Sequence, residues 1–171
     1  AGLTNKILGK KVDSICVAYE GMERFFPAGK IIMTGNPIRK EIVPADEATK
    51  AEAMKFYGLD PLKRHIFIVG GSLGSGTLNN AMKKWIQDGC PGGENIEIIW
   101  QCGKYYKPSV DAFMEGRELP AIQYSDFIQR MDLAYAAADV VISRSGASSV
   151  SVLGVILPTR ISPGLTSAPS K

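Results

Sequence analysis

The chain is poor in cysteine and histidine, has no long apolar run, and shows no block of like charge. Its three cysteines, Cys16, Cys90 and Cys102, include no Cys-x-x-Cys pair. An odd and scattered set builds neither a disulfide framework nor a zinc site and fits a reducing compartment. The single histidine, His65, enters an apolar run and reads as a surface or strand-end residue rather than a general base. No stretch of about 18 apolar residues occurs, so any membrane association is read as peripheral. The opening AGLTNKILGKK lacks the apolar core and cleavage signal of a secretory peptide. The 20 basic and 17 acidic residues are dispersed and give a net charge of +3. Without a basic run there is no nucleic-acid arm, and nucleic acid is not an expected partner. Asp126, Asp132 and Asp139 show no Asp-x-Asp spacing, and neither does any other pair. A metal-held diphosphate is therefore not expected, and no metal or other cofactor is implied.

What is present is an ordinary globular composition, 45% hydrophobic and 22% charged over 171 residues, enough for one buried domain or one domain with part of another. Short runs rich in β-branched residues recur at 15–18, 30–34, 65–69, 96–100, 121–124 and 140–143, each of strand length. Between most of them, apolar residues at helical spacing occupy 48–57, 78–87 and 132–138, and Gly58 and Gly89 stand where a C-cap glycine belongs. Alternating strand and helix predicts an α/β fold, a doubly wound parallel sheet, because parallel neighbours need crossover connections. The segment 1–39 offers only a helix and two strands before Gly35-Asn36-Pro37 interrupts it, and 40–45 reads as a linker. From Pro158 the composition turns to Pro, Ser, Thr and Gly, unlike the rest.

Two strand-to-helix turns carry candidate chemistry. The first is IFIVGGSLGSGTLNN, where four glycines, Gly70, Gly71, Gly74 and Gly76, surround Ser72. Such a turn lets backbone approach a ligand closely, and free N–H groups at a helix start favour an anion such as a diphosphate. It is not a Walker A loop, since Thr77 stands where the lysine belongs, and no G-x-G-x-x-G can be drawn. A tight turn without ligand is the alternative. The second is ADVVISRSGASSVS, in which Arg144 precedes Ser145, Gly146, Ala147, Ser148 and Ser149 at the start of an expected helix. A permanent cation beside several hydroxyls at a helix N-terminus can hold an anion; an N-cap serine cluster with a surface arginine is the alternative. Two such loops at the carboxyl ends of strands in one open sheet point to a nucleotide diphosphate in the crevice between them. Between the loops, Phe127, Ile128 and Met131 are candidates for an apolar wall against a base, although core packing is their commoner fate.

These segments in this order resemble the MurG family, the UDP-N-acetylglucosamine transferases that convert lipid I to lipid II. The resemblance rests on AGLTNKILGKK, VAYEGMERFFPAGKIIMTGNPIRKEI, GGSLGS and DFIQRMDLAYAAADVVISRSGASSVS, and covers residues 1 to about 151. It implies a GT-B fold, two doubly wound domains facing a cleft, with 1–39 the C-terminal remnant of the first (acceptor) domain and 40–151 an incomplete donor domain. It further implies that Arg39 meets the donor at the domain junction and that Ser72 holds its diphosphate-ribose portion. Ile128 would contact uracil, with Phe127 and Met131 as neighbours. Ala147, Ser148, Ser149, Val150 and Ser151 would form the donor loop, supported by Gly70, Gly71, Gly74, Arg144, Ser145 and Gly146. The family closes that loop with a ribose-binding glutamate, where Val152 stands here and can accept no hydrogen bond. The tail 152–171 diverges from the family pattern as a frameshift or truncated reading frame would. The family's glycine-rich loop, histidine and membrane-docking patch of the first domain match nothing in this chain.

The resemblance implies an inverting hexosyltransferase in peptidoglycan synthesis, peripheral on the cytoplasmic face of the bacterial inner membrane. UDP-N-acetylglucosamine would be the donor, and lipid I the acceptor through the missing domain. The chain itself is expected to bind the donor weakly and turn over nothing. Another GT-B enzyme, such as a UDP-sugar 2-epimerase or glycolipid synthase, and an inactive truncated product are the rival readings. Strands at 15–18 and 30–34 cut from a larger sheet would leave unpaired edges and favour self-association.

Overall fold

The computed structural model describes residues 2–37 and 43–156, and the chain separates into two compact units, Ala1–Arg39 and Lys40–Lys171. The smaller unit carries a short helix α1 (Leu3–Leu8) and two strands, β1 (Ile15–Val17) and β2 (Ile31–Met33). The strands pair in parallel with Ile15 opposite Ile31, and two 3-10 turns, Met22–Arg24 and Ala28–Lys30, lie in the connection. Val17 and Phe26 supply its buried apolar residues, whereas Ile32 and Met33 are exposed. Lys30 Nζ donates to the Val12 carbonyl oxygen at 2.7 Å and ties the end of the crossover to the loop that precedes β1.

In the larger unit the elements are α2 (Glu47–Tyr57), β3 (Arg64–Val69), α3 (Gly76–Gln87), β4 (Ile96–Gln101), α4 (Lys107–Met114), β5 (Ile122–Ser125), α5 (Met131–Ala137), β6 (Val140–Ser143) and α6 (Ala147–Ile156). Local chemistry sets the limits of α2. Asp46 caps it by accepting from the Thr49 N–H at 2.8 Å, and Gly58 closes it in the left-handed region at φ 61°. Of the expected linker 40–45, residues 43–45 are irregular, while 40–42 lie outside the described residues. The four strands are all parallel in the order β5-β4-β3-β6. The α/β, doubly wound expectation therefore holds. In such an order the chain builds outward from β3 on one side and then crosses to place β6 on the other, so the switch point lies between β3 and β6.

Helices cover both faces, which is why β3 is buried along most of its length. Phe67, Val69 and Ile99 pack with Ala53 of α2 and Leu133, Ala134 and Ala137 of α5. Ile68, Ile98 and Trp100 pack on the other face with Met82 and Ile86 of α3 and Val110 and Met114 of α4. The alanines of α5 let it lie close to α2, and polar ties finish the pairing. Tyr57 Oη donates to the Arg130 carbonyl oxygen, while Arg130 pairs with Asp132 at 2.8 Å and with Glu52 at 3.3 Å. Helix α4 is absent from the sequence expectations. It is two turns long, carries Pro108 in its first turn, and buries only Val110 and Met114, so its periodic signal is weak.

Three carboxyls are held below the ordinary aspartate range, each by hydrogen bonds to its charged form: Asp46 by Thr49, Asp111 by Lys107, and Asp132 by Arg130. A carboxyl more acidic when folded adds stability above its unfolded pKa and loses it as pH falls through the folded value. Thermal melts should thus move down between about pH 5 and pH 2, and Asp132→Asn should flatten that limb. An unchanged acid limb in the variant would sink the assignment.

Candidate functional site

The register of the sheet places Val69, Gln101, Ser125 and Ser143 at one level, the carboxyl edge. Four turns leave from that edge. The glycine turn 70–75 and the turn 144–146 flank the switch point between β3 and β6, each leading into a helix, α3 and α6. This is the crevice in which ligands of open α/β sheets bind, and two helix N-termini there direct N–H groups and the positive ends of the helix dipoles to one place.

The glycine turn is closed by Gly74 N–H donating to Gly71 O at 2.9 Å, and Ser75 caps α3 through Leu78 N–H at 3.5 Å. Gly71 and Ser72 are exposed on the rim, and Leu73 beside them is 75% exposed. The turn lies directly on the turn after β4. A Cβ on Gly74 would stand 2.1 Å from the Cys102 carbonyl oxygen, and one on Gly103 would stand 2.3 Å from Gly74 Cα and N. Both residues have φ above +80°, a conformation natural only to glycine. The two turns interlock backbone to backbone.

Beneath them is a polar network in a buried setting. Asn79 Nδ2 donates to Cys102 O at 2.8 Å, and Trp100 Nε1 donates to Asn79 Oδ1 at 3.0 Å. Gln101, 1% exposed, donates from Nε2 to Gly71 O at 3.0 Å and accepts at Oε1 from Ile128 N–H at 3.0 Å. Burial pushes the Cys102 thiol up, leaving it neutral. Its Sγ lies 3.2 Å from Ser125 O as a donor.

The second turn presents Arg144, Ser145 and Gly146 to solvent. Arg144 forms no ion pair among the described residues, so its charge is available to an anion. Ser149 and Ser151 are half-buried along α6, whose backbone includes Ala147, Ser148 and Val150. Val152 is buried at 9%. Of the expected apolar wall, Phe127 is 46% exposed, Ile128 is buried and Met131 packs half-buried on the core. Ile128 thus turns its side chain into the core, and its N–H is taken by Gln101 Oε1. Arg39 lies outside the described residues, as does the tail from 157.

Of the two expectations for His65, surface or strand end, the second holds. It is a strand-end residue but not a surface one, being 3% exposed at the amino edge of β3. Its Nε2 lies 3.0 Å from the Asp60 carbonyl oxygen, which only accepts, so that nitrogen carries the proton. Glu97 at 3.5 Å and Asp139 at 3.7 Å flank the ring, and the Asp139 carboxylate accepts from the His65 backbone N–H at 2.9 Å. A cavity of about 390 Å³ opens beside it, lined in part by Lys50, Arg64 and Asp139. All of this is at the opposite end of the sheet from the candidate site.

The turn after β4, with Gln101, Cys102 and Gly103, was not singled out in the sequence. The signal available was weaker than in the other two loops, a small residue and one glycine, Cys102 and Gly103, after a strand that ends in a polar residue.

Comparison with known proteins follows this geometry. Residues 65–156 match the model of the glycosyltransferase family 28 C-terminal domain. The UDP-N-acetylglucosamine–N-acetylmuramyl-(pentapeptide) pyrophosphoryl-undecaprenol N-acetylglucosamine transferase of Parabacteroides distasonis is 48% identical over 153 residues, covering 90% of this chain and 41% of the relative. That of Bacteroides thetaiotaomicron is 50% identical over 152 residues, covering 88% and 40%. The crystal structure of Acinetobacter baumannii MurG superposes with a TM-score of 0.51 at 27% identity, covering 91% of this chain and 40% of that one. The chain therefore spans about two fifths of the length of these relatives.

Proposed function

The chain belongs to the glycosyltransferase family 28 C-terminal domains, and on that footing we propose that its larger unit binds the nucleotide-sugar donor of an N-acetylglucosamine transferase acting in peptidoglycan synthesis. The observation that carries this reading is the pairing of two helix-initiating turns, 70–75 and 144–146, on either side of the switch point. Residues 40–151 are the donor domain and 1–39 the last part of the acceptor domain. The diphosphate of UDP-N-acetylglucosamine lies between Ser72 and the turn from Arg144 to Gly146, with Ala147, Ser148, Ser149, Val150 and Ser151 lining the second helix. Phe127, Ile128 and Met131 border the base, and Arg39 is assigned to donor binding by the family resemblance alone.

In the complete enzyme the 4-hydroxyl of the lipid-linked muramoyl sugar of lipid I attacks the anomeric carbon, and UDP leaves with inversion. Charge then grows on the diphosphate, and the two helix N-termini with Arg144 stabilise it where it develops. This unit supplies the leaving-group side of the reaction. The attacking side, the acceptor and the peripheral contact with the cytoplasmic face of the membrane belong to the rest of the enzyme. No helix among the described residues is long and apolar enough to cross a membrane.

Calorimetric titration with UDP, beside a thermal melt, tests the proposal. Val152 gives the ribose hydroxyls no acceptor, so the expected Kd is on the order of 1 mM, roughly −4 kcal/mol, with no turnover of donor and acceptor. A cooperative melt with no heat from UDP at several times that concentration would sink the donor reading. Transferase activity from this chain alone would overturn the division of labour between the two sides.

A further inference from the structure

We propose that Gln101 is a positioning residue that clamps the phosphate turn to the base-side turn and sets their spacing. The functional half of this inference rests on the donor reading above; the structural half does not. The need for a clamp follows from the strand order. The glycine turn leaves β3 and the turn at 126–130 leaves β5, and β4 lies between those strands. Two strand spacings of about 4.8 Å separate them, so no backbone ladder joins the two turns. Gln101 is the last residue of the intervening strand, opposite Val69 on one side and Ser125 on the other.

Its amide reaches both ways. Nε2 donates to Gly71 O, which also closes the glycine turn by accepting from Gly74 N–H, and Oε1 accepts from Ile128 N–H. One partner is an acceptor and the other a donor, so the side chain must offer both functions about 2 Å apart at the end of a two-methylene stem. Glutamine does this. Asparagine is too short, glutamate has no donor when ionised, and methionine has neither. A buried amide costs desolvation unless both ends are met, and here both are met by loop backbone rather than by the core. The clamp therefore fixes the position of Gly71 relative to Ile128, and with it the distance between the anion-binding rim and the base-side turn. Holding both in place before binding removes the ordering cost from association.

Amide hydrogen exchange on the full chain separates this from a general packing role. In Gln101→Met, exchange at Gly74 and at Ile128 should accelerate at least about tenfold, while Phe67 and Ile99 in the sheet centre keep their protection. In Gln101→Glu, read above the pH at which the buried carboxyl ionises, the carboxylate still accepts from Ile128 but repels Gly71 O, so Gly74 alone should accelerate. UDP affinity should fall about tenfold in Gln101→Met. Unchanged exchange at Gly74 and Ile128 in Gln101→Met overturns the clamp, and so does equal acceleration at Phe67 and Ile99. Loosened loops with unaltered UDP affinity overturn its functional half. If the parent chain binds no UDP at all, the donor reading fails, and the exchange data still decide the clamp.

Discussion

Replacing Gly103 by alanine is expected to destabilise the larger unit by about 3 kcal/mol or more and to abolish the proposed nucleotide binding. Two penalties add. At φ +89° a Cβ costs roughly 1–2 kcal/mol in backbone strain. The same Cβ would sit 2.3 Å from the Cα and N of Gly74 and 2.5 Å from the Leu73 carbonyl carbon. These are backbone atoms that cannot swing aside, and overpacking of that kind costs about 1–3 kcal/mol more. Relief would require the glycine turn to lift away from the turn after β4, which breaks the geometry of the proposed anion site. Gly116 is the control, since it has φ +72° but nothing within 4 Å of its added Cβ. Gly116→Ala should cost only about 1 kcal/mol. Urea melts of the two variants decide the matter, and a Gly103→Ala variant as stable as Gly116→Ala would show that the turns do not interlock.

The contrast between the turn after β3 and the turn after β4 explains what was legible in the sequence. Glycine and serine cluster densely after Val69 and after Ser143, so those turns announce themselves. After β4 a single Gly103 follows Gln101 and Cys102, and reading the strand as ending at Trp100 left Gln101 in the loop. Alternation assigns a polar residue to solvent, yet Gln101 shares the core-facing side of β4 with Ile99. Its partners come from two other turns that become neighbours only once the strand order is set. The burial of His65 was hidden for the same reason: Glu97 and Asp139, which make it tolerable, lie 32 and 74 residues away in sequence and meet it only across adjacent strands. The α/β alternation, by contrast, is written locally in strand-length apolar runs and capping residues, and it survived folding intact. Helix α4 escaped because two buried residues over eight make no clear period.

Removing the amide of Asn79 is the second change expected to have a large effect. Asn79 is 2% exposed on α3, and its amide joins Trp100 Nε1 to Cys102 O, a donor and an acceptor that have no water to turn to. Asn79→Ala leaves both unpaired, and each orphaned buried group costs about 1–3 kcal/mol, so a total loss of roughly 3–5 kcal/mol is expected. Because the bridge fastens the first turns of α3 to the end of β4, its loss also frees the helix start that anchors the glycine turn. A double-mutant cycle isolates the polar part of the effect. Trp100→Phe removes the indole donor while keeping an aromatic ring, so in that background Asn79→Ala should cost about 1–2 kcal/mol less than in the parent. Denaturant melts of the four proteins give the coupling. Strict additivity would mean that Asn79 contributes packing alone, and that the edge of β4 is held by its glycine contacts without the buried amide.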